Sequence, residues 1–163
     1  MKLNMFKTVA TGAVIAALAL GATSANAATA SATARAKILR EVTVTNTSDL
    51  QFGTIVTGAS ASTVAIGSTG TRICGTGLIC SGTTTAANFL VGGTTGQVVT
   101  ISSDASVTLA SGTHSMTAVL TPSAVSATLV ANAATFSVGG LLTVGASQAD
   151  GDYAGTFNVT VNY

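Results

Sequence analysis

Charge is what this chain has least of: among 163 residues, six are Lys or Arg, five are Asp or Glu and one is His. Nucleic-acid binding needs clustered Lys and Arg against phosphates, and an anionic membrane surface needs a polybasic segment, so both classes of partner are excluded. Trp is absent, and there are only two Tyr and five Phe. That is too few rings for an aromatic sugar platform. It is also too few for the girdles of an outer-membrane barrel, which needs strands of roughly ten residues as well. Two Cys and one His cannot supply the four ligands of a structural zinc site. The single proline, Pro122, leaves turn-making almost entirely to 18 glycines.

The same shortages count against catalysis. A Ser-His-Asp set could be drawn only around His114 and Asp104, and no G-x-S-x-G elbow accompanies them. His114 follows Ser111-Gly112-Thr113 and reads as a solvated turn histidine. Asp150 and Asp152 flank Gly151 without an EF-hand pattern, so they read as turn formers rather than calcium ligands. Gly92-Gly93-Thr94-Thr95-Gly96 has no Walker lysine and no helix signal after it, and reads as a hairpin loop. The expectation is a non-enzyme without a metal or cofactor.

The composition that is present favours a sheet. Thr, Ser, Ala, Gly and Val dominate, and Thr and Val suit a pleated surface. Residues 1–27 read apart from the rest. Lys2 and Lys7 make a basic start, Val9–Leu20 an apolar stretch, and Ala25-Asn26-Ala27 a small-x-small cleavage site, as in a bacterial export signal. The apolar stretch falls short of the roughly 20 residues of a membrane span. Removal of the signal leaves 136 residues, enough for one domain with its own core. In that part four basic residues (Arg35, Lys37, Arg40, Arg72) face five acids (Glu41, Asp49, Asp104, Asp150, Asp152), a net charge of −1. An uncharged β surface leaves strand edges open to pairing, which a protein built to polymerise tolerates.

Two alternating ladders bracket the domain. In the first, Ala28, Ala30, Ala32, Ala34, Ala36 and Ile38 share one face, and Thr29, Ser31, Thr33, Arg35 and Lys37 the other. It continues through Val42 and Val44, with Arg40 marking a bend or bulge near 39–41. A helix over Ser31–Arg40 is the rival reading, but its alanines would wind around every face. In the second ladder Tyr153, Phe157, Val159, Val161 and Tyr163 share a face, which predicts one strand with its core side continuing to Tyr163. Between the ladders, short strands are predicted at 49–56, 63–66, 88–91, 97–102, 106–110, 116–120, 127–131, 135–138 and 141–144. Gly or Pro punctuates nearly every boundary. Many short strands at this spacing make an all-β sandwich or barrel. Cys74 and Cys80 in an exported chain are expected to pair, and so short a loop is worth about 2–2.5 kcal/mol.

The segments Leu50-Gln51-Phe52-Gly53-Thr54-Ile55-Val56, Leu141-Leu142-Thr143-Val144 and Gly151-Asp152-Tyr153-Ala154-Gly155-Thr156-Phe157-Asn158-Val159-Thr160-Val161-Asn162-Tyr163 resemble the bacterial domain of unknown function 4402. The resemblance covers most of the chain after the signal, and the last segment is its most specific part. That segment is also similar to the close of spore coat protein U type pilins of archaic chaperone–usher systems, with its Gly-x-Tyr turn and alternating Thr/Val strand. The resemblance implies an immunoglobulin-like sandwich lacking one strand, filled by a donor strand from the next subunit. It also implies a periplasmic chaperone that holds Tyr153, Gly155, Phe157, Val159, Val161 and Tyr163 until assembly, and an outer-membrane usher. The donor would be Ala28–Ile38, within an alternating segment over 28–45 ahead of a sandwich over 46–163. Typical donors carry large aliphatic side chains. Here five alanines contribute about 4 kcal/mol and Ile38 about 2–3 kcal/mol more, so the receiving groove is shallow or the segment is the subunit's own first strand. The expected function is a pilin-like subunit of a surface fibre, exported through the periplasm to the cell surface, joined to copies of itself or related subunits and used in attachment or biofilm. The alternative is a monomeric secreted sandwich that binds an unknown ligand.

Overall fold

The computed structural model describes residues 27–163, so the signal reading, apart from Ala27, lies outside the described residues. The chain falls into two units, one up to Ala36 and one over Lys37–Tyr163. Of the first unit, residues 27–36 are described; they are exposed and carry no regular structure. The second unit is all-β. Among the described residues no helix is long and apolar enough to cross a membrane.

Its twelve strands are β1 (Thr43–Ser48), β2 (Thr54–Val56), β3 (Ser62–Ile66), β4 (Arg72–Cys74), β5 (Ile79–Ser81), β6 (Ala87–Gly92), β7 (Val98–Ser103), β8 (Ser106–Ser111), β9 (His114–Pro122), β10 (Ser126–Thr128), β11 (Ala133–Val144) and β12 (Val159–Asn162). Seven of them form one sheet: β1-β6-β11-β3-β4, with β9 also on β11 and β8 on β9. A second sheet runs β10-β7-β12, and β2 pairs with β5 alone. The two larger sheets pack as a β-sandwich, so each strand's period of two becomes an inside and an outside. In β6 Ala87, Phe89 and Val91 are buried and their neighbours are not; in β7 Val99 and Ile101 do the same from the facing sheet. Phe89 stacks on its cross-strand partner Phe136 at 5.1 Å, and Phe157 meets Phe89 edge-on at 6.4 Å. Such aromatic pairs add about 0.5–1.5 kcal/mol beyond the area they bury.

The strands predicted at 135–138 and 141–144 are a single strand. β11 runs twelve residues straight through Gly139-Gly140. Its first half pairs with β6, and its second half lies between β3 and β9. The two glycines make no turn. A Cβ on Gly139 would strike the carbonyl oxygen of Ile66, and one on Gly140 would press on Phe52 and Leu50 at about 3 Å. They are glycines because other backbone and side chains need that space. Pro122 likewise sits inside the end of β9 instead of stopping it earlier, where a strand end tolerates the missing donor. The predicted strand over 49–56 shrinks to Thr54–Val56 plus a bridge between Gln51 and Thr85. Arg72 reaches into this region, its Nη1 donating to the carbonyls of Ser81 (2.6 Å) and Phe52 (3.3 Å). β10 turns into β11 through Ala131-Asn132, both at positive φ, a tight hairpin of the kind that suits twisted strands.

Candidate functional site

Both ladders from the sequence reach the surface features that matter, though neither is the strand it was expected to be. The second ladder was predicted as one strand from Tyr153. Only Val159–Asn162 is strand, because the segment changes sheets on the way. Ala154 bridges to Ala110 of β8, in the large sheet. Four residues later the Asp104 carboxylate accepts from the Asn158 backbone N–H at 2.7 Å, and β12 then pairs with β7 of the small sheet. The alternation survives as burial: Phe157 and Val159 are half-buried and Val161 is buried. Tyr153 is half-buried too; its hydroxyl donates to the Ala149 carbonyl and accepts from Gln148 Nε2. Gly155 packs against the Thr108 backbone, leaving no room for a side chain.

Tyr163 was expected on the core face and is instead 43% exposed. Its hydroxyl donates to the Arg40 carbonyl at 2.7 Å and accepts the Thr94 backbone N–H at 2.8 Å. The Arg40 N–H in turn donates to Thr94 Oγ1, and Lys37 Nζ donates to Gln97 Oε1. Gly93 makes this possible, since a Cβ there would lie 2.7 Å from the Tyr163 hydroxyl oxygen. The first ladder is interrupted ahead of β1, as its sequence suggested: over 37–40 the chain is held by a loop and a phenol rather than by a neighbouring strand. The second correction concerns the alternating segment before that interruption. Ala28, Ala30, Ala32, Ala34, Ala36 and Ile38 belong to no strand, and Ile38 is 92% exposed. Nothing in the sequence pattern signalled the Arg40–Thr94–Tyr163 triangle, whose members lie 54 to 123 positions apart.

Two sheet edges are left open where these segments meet. β1 pairs only with β6 and β12 only with β7, and no backbone pairing joins β1 to β12. None of β1's six residues is buried on either face. Among the described residues there are two clefts, one of them at this seam. One, of about 570 Å³, lies between Leu39–Val42 and Val161–Tyr163. The other, of about 830 Å³, lies between Leu50–Thr57 and Gln148–Tyr153. Its floor includes Leu109, Met116, Leu142 and Val144, and its rim carries Asp150 and Asp152.

The cysteines are paired as expected, Cys74 to Cys80, with Cα atoms 6.0 Å apart, closing the link from β4 to β5. Asp104, the acid of the only triad that could be drawn, has its carboxylate occupied by Asn158. His114 opens β9 opposite Ser111. Among the described residues no three His, Cys, Asp or Glu side chains converge as a metal site would require.

The chain matches the family described as Domain of unknown function (DUF4402) over residues 42–163. The match takes in the whole of β1 to β12 and begins after the alanine ladder. No curated protein and no solved structure matches the chain.

Proposed function

The chain belongs to the DUF4402 family, and from that premise we propose that it is a pilin-like structural subunit of a bacterial surface fibre, polymerised by donor-strand complementation. The observation that carries this reading is the seam between β1 and β12, two strand edges each without a neighbour, with a cleft between Leu39–Val42 and Val161–Tyr163. β1 and β12 come within 8 Å of each other, closer than the roughly 9.5 Å that spans an intervening strand, so the two edges would part for an added strand to satisfy their N–H and C=O groups and place alternate side chains between them. Ala28–Ile38 is the donor. It alternates, it belongs to no strand among the described residues, and its eleven residues, extended, span about 33–36 Å. That length is close to the twelve-residue β11 that crosses the sandwich. Small alanine side chains suit a narrow seam better than the large aliphatics of other donors. In this reading residues 1–27 direct export, a periplasmic chaperone covers the seam, an outer-membrane usher threads the fibre, and the fibre serves attachment or biofilm.

Deletion of Ala28–Ile38 from the exported chain tests the proposal. The intact chain should give a ladder of multimers on unboiled gels and filaments by electron microscopy, and the deleted chain neither. Filaments from the deleted chain would remove the donor role. A second reading, a monomeric secreted binding module, draws on the 830 Å³ cleft as a ligand site. It predicts an intact chain that stays monomeric at every concentration.

A further inference from the structure

We infer that the outer face of the seven-stranded sheet is a contact surface for the same face of a second copy of this chain, with a two-fold axis lying along β11. The inference does not depend on the donor strand: it concerns a broad face of the sandwich, whereas the seam concerns strand edges.

Register builds the face. Residues that point away from the core fall into rows across the strands. Ile73 is opposite Ala65, Ala65 opposite Leu141, Leu141 opposite Val119 and Val119 opposite Ser106. Two positions along each strand, Thr63, Thr143, Thr117 and Thr108 make the next row, and all four are exposed. Toward the other end of β11, Thr135 and Leu90 carry the face on to Thr45 of β1. Ile73, Val119, Leu141 and Leu90 all stand exposed on it, so an apolar row lies directly beside a hydroxyl row. Contiguous apolar surface of this kind marks a place where something docks.

Charge identifies the occupant. Among Asp, Glu, Lys and Arg, only Arg72 lies within the seven strands. It stands opposite buried Ile66 and donates to backbone carbonyls, so no outward position is charged. A charged partner finds no counter-charge here, and with no Trp or Tyr on these strands a sugar finds no ring to stack on. A second copy brings an equally neutral face and leaves no charge desolvated. Threonine hydroxyls both donate and accept, so a threonine row is complementary to its own image, and a self-complementary patch closes a two-fold pair. An axis along β11 keeps the strands of the two sheets aligned, as packed sheets prefer. It sets Leu141 on Leu141, Val119 of one copy on Ala65 of the other, and Ile73 on Ser106, so the flanking large side chains each meet a small one. At about 16 Å² for each strand residue, the face measures about 750 Å², one side of a standard-size interface.

The test mixes two single variants of the exported chain, Ala65→Cys and Val119→Cys, with a short bismaleimide whose reach matches the roughly 10 Å between packed sheets. Products are read on boiled gels, where multimers held by a donated strand come apart and thioether-linked dimers remain. The mixture should give at least tenfold more dimer than either variant alone, and than Thr100→Cys, which lies exposed on the small sheet. Adding Leu141→Lys to both chains, or Leu141→Glu to both, should lower the yield at least tenfold. Placing L141K in one chain and L141E in the other should restore it, because the two positions face each other. An equal yield from a single variant or from Thr100→Cys overturns the inference. So does a yield unchanged by Leu141→Lys in a chain that keeps its disulfide and its urea midpoint. Neither result touches the ladder on unboiled gels, so the fibre reading stands or falls separately; linked dimers without that ladder would remove the fibre reading and keep this one.

Discussion

β11 and β12 are both strands of one sandwich, and they live in opposite circumstances. The second half of β11 is paired on both edges, by β3 and β9, and buries Val138, Leu142 and Val144 almost completely. β12 is paired on one edge by β7, and of its four residues only Val161 is buried. β1 is more extreme, with one paired edge and no buried residue. The molecule is therefore finished at its centre and unfinished along one seam. Buried side chains concentrate in the first region, and strand edges without a neighbour lie in the second.

That contrast can be broken most severely at the centre. Leu142→Ala should cost about 2–5 kcal/mol of stability by urea unfolding, because a buried leucine leaves a cavity behind. The same measurement on Val161→Ala, at the one-sided strand, should show a clearly smaller loss. Next comes Gly139→Ala, which forces a methyl against the Ile66 backbone. It should cost about 1–3 kcal/mol and show as a lower urea midpoint. Arg72→Ala should fall in the range of about 1–3 kcal/mol, since the Ser81 and Phe52 carbonyls lose their donor. Faster amide exchange around residues 52–56 and 79–81 should accompany it, with β11 unaffected. Tyr163→Phe should cost about 1 kcal/mol and speed exchange at the Thr94 amide, which donates to that hydroxyl. A core-only account of stability predicts no change there. The smallest effect has the opposite sign. Replacing Ala131-Asn132 by Asn-Gly should raise stability by about 1 kcal/mol, because alanine is poorly suited to a left-handed φ of 51°. A scan of thermal midpoints measures that gain.

Much of the fold was legible because burial writes a period of two. Val64 and Ile66, Phe89 and Val91, Val99 and Ile101 all stand at alternate positions, and each pair is buried. The disulfide was legible from two cysteines six positions apart behind a sequence that reads as an export signal. What failed was the reading of glycine. Gly92-Gly93 does end a strand, whereas Gly139-Gly140 lies in the middle of the longest one. The local sequence is the same, and the difference is a carbonyl of Ile66 that only tertiary structure brings near. The change of sheet at Asn158 was hidden for a similar reason: alternation records which side is buried, not which strand is alongside. The cleft was the least legible feature. Its walls come from residues 50–57 and 148–153, nearly a hundred positions apart, and Asp150 and Asp152 read alone as a turn.

The hydroxyl of Tyr163 has a mechanical consequence. A pull on residues ahead of Lys37 does not reach β1 first. It is met by the bonds of Lys37 to Gln97 and of Arg40 to Thr94 and Tyr163, which pass the load into the 94–97 loop and the end of β12. Only when those bonds part does tension act along β1, whose hydrogen bonds to β6 lie across the direction of pull and are sheared together rather than unzipped in turn. The molecule thus carries a small fuse ahead of β1, and extends by a few residues before the sheet is asked to hold.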